Sequence, residues 1–282
     1  MKKECRICAL YSGSGGNSVY IRVGESRILI DAGKSARALC KALERIGESI
    51  DNIDAIFITH EHNDHISALR VLAKKNNIPI HITHISARRF DDCDGEEIDR
   101  LLCRHDVSFC ECIGEIAVSS FRTPHDSNMS VGYRVDFEID GEKHSIGYAT
   151  DIGYVSDEVR NGLWGCDAVV IESNHDEDML RTGPYPRELK NRVASKRGHL
   201  SNRECSEFAC ELAQNGTRSF LLAHLSKENN EPTLAFELTN RLVEEYGAEV
   251  VVAMPDDPSE LSVYLSEEEN SDKRQIYNPW NA

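Results

Sequence analysis

Six consecutive residues, His60-Glu61-His62-Asn63-Asp64-His65, place three imidazoles and two carboxylates on one short stretch of chain. Buried in an ordinary core, each of these groups would need its own polar partner. A metal ion would partner several of them at once. On extended chain residues two apart point the same way, so His60 and His62 face one ion. Asp64 and His65, where the chain turns, can face a second. Imidazole suits zinc, iron or manganese, and a mixed His/Asp set reads as an open hydrolytic site more than a closed, cysteine-rich structural one.

The flanking sequence says how such a loop is held. Ala55-Ile56-Phe57-Ile58 reads as a short buried strand, whereas Ile66, Leu69, Leu72 and Ala73 recur at helical spacing, so the cluster occupies a strand-to-helix connection. Loops of that kind carry function on a rigid scaffold. Other predicted strands also end in ionisable groups. The strand over 115–122 runs into Thr123-Pro124-His125-Asp126, that over 143–149 into Thr150-Asp151, that over 168–171 into Glu172-Ser173-Asn174-His175-Asp176, and that over 218–223 into His224. His125, Asp151 and His224 are the candidates among them, with Asp126 and His144 as nearest competitors. His81 and His84 lack such flanks and read as structural or exposed.

Ahead of the last of these strands stands Arg197-Gly198-His199-Leu200-Ser201-Asn202. Ser201 and Glu204 have capping-box spacing, and Cys205, Phe208, Ala209, Leu212 and Ala213 give the following helix an apolar face. With Ser201 as N-cap, His199 and the first free N–H groups of that helix make an anion site suited to a substrate phosphate. The glycine-rich turn Ser12-Gly13-Ser14-Gly15-Gly16-Asn17-Ser18 joins two strands of an opening meander, so it is no nucleotide P-loop; a part in lining the substrate cleft through backbone N–H groups stays open to it. Between the metal loop and residue 115 the pattern predicts a strand over 78–82 and helix over 84–104, broken at 91–95.

Composition bounds the rest. A chain of 282 residues, 40% hydrophobic, can bury a large core, and a single α/β domain over 1–255 followed by an acidic tail over 256–282 is the simplest division. No segment has the continuous apolar length of a membrane span, and the first eleven residues do not resemble a signal peptide, so no membrane partner and a cytoplasmic location are expected. The ten cysteines should therefore be mostly reduced thiols, with packing the expected role of Cys5 and Cys8 and of Cys103, Cys110 and Cys112. A net charge of −16 argues against indiscriminate attraction to nucleic acid, yet Arg187, Lys190, Arg192, Lys196 and Arg197 form a local basic stretch.

Thr59-His60-Glu61-His62-Asn63-Asp64-His65 resembles the THxHxDH signature of the metallo-β-lactamase superfamily at every defined position. The resemblance implies an α/β fold, the αββα sandwich, with a metal site at one rim, and Asp31 supporting the metal loop without touching a metal. It also implies two divalent ions, zinc or manganese: His60, His62 and His125 on one, Asp64, His65 and His224 on the other, and Asp151 bridging. A metal-bridging hydroxide is then the nucleophile, oriented by Asp64. His199 binds or protonates the phosphate, with His175 a further candidate for that duty.

The elements Ser12-Gly13-Ser14-Gly15-Gly16-Asn17-Ser18, Asn174-His175-Asp176, Gly198-His199-Leu200-Ser201-Asn202 and Ala223-His224-Leu225-Ser226-Lys227-Glu228-Asn229-Asn230 resemble most closely the YycJ (WalJ) family of bacterial metallo-hydrolases. That family implies a 5′-to-3′ exonuclease acting on DNA, associated with repair or cell-envelope signalling. The stretch between Asp151 and His199 is too short for the inserted β-CASP domain of RNA-processing relatives. The alternatives are a hydrolase for a small phosphodiester or a thioester, and a metal-bearing scaffold without activity.

Overall fold

The computed structural model describes residues 5–91 and 95–263. Strands β1 (Cys5–Tyr11), β2 (Ser18–Val23), β3 (Ser26–Ile30), β4 (Ala55–Phe57), β5 (Ile80–Thr83) and β6 (Leu102–His105) build one sheet. Strands β7 (Cys110–Ile113), β8 (Ile116–Arg122), β9 (Val131–Ile139), β10 (Glu142–Ala149), β11 (Ala168–Glu172), β12 (Ser219–Ala223) and β13 (Glu249–Val252) build the other. A last strand, β14 (Ser259–Leu261), crosses back to pair with β1, so the described residues form two seven-stranded sheets.

The helices of the first half are α1 (Ala36–Arg45), α2 (Asn63–Ile66), α3 (Leu69–Lys75), α4 (His84–Ala87) and α5 (Gly95–Asp99). Those of the second are α6 (Asp157–Leu163), α7 (Glu177–Thr182), α8 (Arg187–Val193), α9 (Asn202–Gln214) and α10 (Pro232–Val243).

Strand alternation sorts the apolar side chains into three layers. Ile28, Ile30 and Phe57 meet Val118, Tyr133, Val135 and Val170 between the sheets. Their neighbours Leu29, Ile56 and Ile58 point the other way, against Leu39, Leu43, Leu69 and Leu72 of the covering helices. On the far side Val169, Ile171, Phe220 and Leu222 pack on Phe208 and Leu212. Both faces of both sheets are covered, which is why the central strands read as continuous apolar runs. This is the expected αββα sandwich.

Two four-strand blocks, β3-β4-β5-β6 and β10-β11-β12-β13, are parallel. Their carboxyl ends deliver Asp31, Thr59-His60, Asp151, Glu172 and His224 to one rim, the place where open α/β sheets bind ligands.

Three expectations change. The stretch 84–104 is not helical throughout: after α4 and α5 the chain enters β6, whose register with β5 pairs His81 with Cys103 and Thr83 with His105. Ladder hydrogen bonds and burial decide a four-residue segment that local pattern leaves ambiguous. Strand β7 follows and was not foreseen. Nor does the chain leave the domain at 255: β14 closes the edge of β1, and Asp256, Asp257 and Glu260 pair with Lys34, Arg45 and Arg6. The remainder of the expected tail, 264–282, lies outside the described residues, as does part of the expected break at 91–95.

The described cysteines are free. Cys8 packs on the helix side of β1 and Cys5 on the inter-sheet side, and burial pushes both thiols up to about 12, which leaves them inert. No helix among the described residues is long and apolar enough to cross a membrane.

Candidate metal centre

The expected metal loop begins where β4 ends. Thr59 N–H and Oγ both donate to Asp31, and the loop then turns into α2, with His62 at its N-cap. Backbone hydrogen bonds from Ala32 N to His65 O and from Asn17 N to Asp64 O stitch the loop to the end of β3 and to the glycine-rich turn. Gly33 stands between them: a Cβ there would lie 2.0 Å from Asp64 O and 2.4 Å from Asn17 N, so only glycine fits this approach. The turn therefore holds the loop from behind, with Asn17 Nδ2 3.1 Å from His65 Nε2 and Ser12 Oγ accepting from His224 N. It is absent from the lining of the neighbouring cleft.

His60, His62 and His125 bring one potential ligand atom each within 4.8 Å of one another, as do Asp64, His65 and His224, and again His60, His65 and Asp151. The carboxylate of Asp151 lies among these sets. Its Oδ1 is 3.6 Å from both His125 Nε2 and His224 Nε2, and its Oδ2 is 3.3 Å from His65 Nε2. Asp64 Oδ2 stands 3.4 Å from His65 Nε2 and 3.8 Å from His224 Nε2.

Each of four imidazoles is anchored through Nδ1, which turns Nε2 inward. His60 Nδ1 meets Thr59 Oγ1 at 3.0 Å, His65 Nδ1 meets Asp31 Oδ2 at 2.8 Å, His125 Nδ1 meets Gly198 O at 3.2 Å and His224 Nδ1 meets Glu172 Oε1 at 2.8 Å. Holding the second ring nitrogen in this way fixes tautomer and orientation in metal sites. The inward atoms lack such support: His60 Nε2, Asp151 Oδ2 and His224 Nε2 are buried without a hydrogen-bond partner. Unsatisfied buried polar atoms are costly, and a divalent cation is the partner this donor set fits.

Charge follows the same logic. Burial works against ionisation of Asp151 and Asp64, yet the adjacent imidazoles hold both carboxyls well below the usual range. Burial and the neighbouring His65 depress His60, whereas Asp31 and Asp151 overcome burial at His65 and raise it. Ions and protons compete for these nitrogens, so metal affinity is lost as pH is lowered. Asp31, Asp151 and His224 adopt left-handed backbone, at φ of 63°, 54° and 58°. Non-glycine residues rarely do so, and such strain gathers at functional sites.

A family model described as a beta-lactamase superfamily domain matches residues 26–225. An exodeoxyribonuclease YycJ of Bacillus anthracis is 33% identical over 238 residues, covering 84% of this chain and 89% of its own. The chain belongs to the YycJ/WalJ family of the metallo-β-lactamase superfamily. A second relative, an exodeoxyribonuclease WalJ of Streptococcus pneumoniae, is 34% identical over 83% of this chain and 87% of its own. The metallo-β-lactamase fold protein YhfI of Bacillus subtilis superposes with a TM-score of 0.66 at 16% identity, covering 92% of this chain and 100% of that one. Like its superfamily, the protein is a metal-dependent hydrolase, and its His/Asp clusters are suited to divalent metal.

Within this YycJ/WalJ centre one residue escaped the sequence reading. Glu172, fully buried, accepts at Oε1 from His199 Nδ1 and His224 Nδ1, each at 2.8 Å, and at Oε2 from Ile152 N and Leu200 N. Burial opposes its charge, but His199 and His224 lower it to about 2. The only signal was a carboxylate closing the apolar run of β11. Glu172 raises His199 in turn, against burial, and His199 lines a cleft beside the centre.

His199 forms a metal-capable group with Asp151, Glu172 and His224, but its Nδ1 is 3.8 Å from Asp151 and committed to Glu172. His175 joins none of these groups; it is buried, bridged to Ser201 and set in the wall of the same cleft. Ser201 caps α9 with a complete capping box. Asp126 approaches His125 at 3.4 Å, yet it is bonded to Arg192, which removes one cation from the basic stretch. His144 lies elsewhere, 3.6 Å from Asp167. His81, expected to be structural or exposed, is buried against Phe57, and its Nδ1 lies at hydrogen-bond distance, 3.0 Å, from Nε2 of His105, whose ring is parallel to within 6°.

Proposed function

We propose that the protein is a dinuclear metal-dependent phosphodiesterase, a 5′-to-3′ DNA exonuclease. His60, His62 and His125 would hold one ion, Asp64, His65 and His224 the other, and Asp151 would serve both. The observation that carries this assignment is the position of Asp151, whose two oxygens reach imidazoles of both sets. Two divalent ions, zinc or manganese, would supply an activated water and neutralise the attacking and leaving oxygens of a phosphodiester.

The chain's own groups do the rest. Asp64, beside His65 and His224, orients the attacking water. His199, fixed by Glu172 and lining the cleft, donates a hydrogen bond to the phosphate or its leaving oxygen. His175 is the second candidate for that contact. The names of the relatives, both exodeoxyribonucleases, support DNA as the substrate.

Metal analysis and digestion of end-labelled single- and double-stranded DNA and RNA test this reading. About two ions per chain are expected, with 5′-to-3′ loss of DNA label by the wild type and none by Asp64→Ala. Replacing Asp151 should disturb both ions. One ion with full activity sinks the dinuclear assignment. Hydrolysis of a small phosphodiester or a thioester without digestion of DNA replaces the nuclease by a small-molecule hydrolase.

A further inference from the structure

Beside the metal centre, and joined to it by His199, lies a cleft of about 490 Å³. That volume falls in the range of small-ligand sites. Its wall carries Arg181, Arg187, Lys190 and Lys196 against two carboxylates, Glu177 and Glu204. Both carboxylates are already engaged. Glu177 pairs with Arg203 at 2.9 Å, and Glu204 closes the capping box on Ser201. Arg181 pairs with Asp178, and Lys190 donates to Arg181 O. Arg187 and Lys196 have no acidic partner among the described residues. The cleft thus presents uncompensated positive charge.

Two further features say what shape of anion it takes. Tyr154 is 40% exposed at the cleft wall, and Lys196 Nζ stands 5.8 Å from its ring centroid. A cation set over an aromatic ring puts a phosphate-binding charge within one nucleotide's reach of a surface on which a base can stack. The same wall includes His175, 3% exposed, its Nδ1 buried without a partner. Its backbone is pinned by Asn202 N donating to His175 O. A buried imidazole atom left unsatisfied at the edge of a basic cleft marks a place for a polar ligand atom.

We propose that this cleft binds one nucleoside monophosphate unit, with its phosphate against Arg187, Lys196 and His175 and its base against Tyr154. The assignment rests on the nuclease reading for its source: the unit is the terminal nucleotide of a strand end, and a free mononucleotide carries the same chemistry.

Calorimetric titration of the metal-loaded protein with dAMP and with inorganic phosphate tests the cleft apart from catalysis. Phosphate alone can reach the metals, so the difference between the two ligands is the readout. dAMP should bind roughly ten-fold or more tighter, the scale of one base stacked on an aromatic side chain. Tyr154→Ala should erase that difference, and Arg187→Gln should weaken dAMP, with metal content and unfolding midpoint unchanged in both. Equal affinity for dAMP and phosphate, or a Tyr154→Ala variant that keeps the difference, overturns the proposal.

Digestion of strands with a 5′-phosphate, a 3′-phosphate or hydroxyl ends separates the sources. Faster digestion of one phosphorylated end, lost in Arg187→Gln, assigns the unit to the strand terminus; no preference beside tight dAMP binding assigns it to the free mononucleotide. DNA digestion without selective dAMP binding removes the cleft and keeps the nuclease. Selective dAMP binding without DNA digestion does the reverse.

Discussion

His199 donates from Nδ1 to Oε1 of Glu172 at 2.8 Å, across 27 residues of sequence. The same carboxylate accepts from His224 and from two backbone N–H groups, so all its acceptor directions are used by donors. Glu172→Gln would turn an NH₂ toward two of those donors. Metal affinity or activity should fall roughly 10–100-fold, the usual cost of disturbing the partner of a metal-binding histidine. Metal titration beside a thermal melt checks it; unchanged affinity in a folded variant would remove Glu172 from the centre.

His199→Ala should retain the metal content of the wild type, because the proposed ligand set is complete without it. Phosphodiester cleavage should drop by roughly 10²–10⁴-fold, the scale of a lost general acid or base. Loss of metal along with activity would instead make His199 a ligand.

Gly33→Ala sets a methyl group against backbone at 2.0 Å and 2.4 Å, and backbone cannot swing aside as a side chain would. The metal loop must shift. Denaturant unfolding should show a loss of about 1–3 kcal/mol, as for overpacked sites, together with weakened metal binding. A stable variant with normal metal content would mean that the loop is not held where Gly33 meets it.

His81 is lowered from 6.5 to about 4 by burial and by His105, with Glu111 acting in the opposite direction. The unfolded chain therefore binds more protons than the folded one between these values. Stability is full above pH 6.5 and falls as pH drops toward 4. His81→Phe, which keeps the stack on Phe57, should flatten the fall in unfolding midpoint over that window. An unaltered pH profile would place the acid sensitivity elsewhere.

How far the sequence reached can be seen residue by residue. The loop His60 to His65 was legible because its chemistry is concentrated in six positions, and the central strands because burial on both faces leaves long apolar runs. Glu172 was not, since one carboxylate at the end of β11 looks like a strand leaving the core; its four donors arrive from residues 152, 199, 200 and 224. Left-handed backbone at Asp151 and His224 was equally hidden, because neither residue type announces it. Strand β6 was lost to a helical reading because its partner β5 lies outside any local window.

The pairing of Ser259–Leu261 with Ile7–Ala9 has a consequence for how the molecule is made. During synthesis β1 emerges about 250 residues ahead of β14, and until β14 follows, one of its two edges lacks the neighbour it has in the finished fold. Until then it offers unpaired N–H and C=O groups to any passing strand. The pairs of Lys34 with Asp256 and Arg45 with Asp257 flank that late step. A chain halted at residue 255 would carry every candidate metal-centre residue and still leave its first sheet open to self-association.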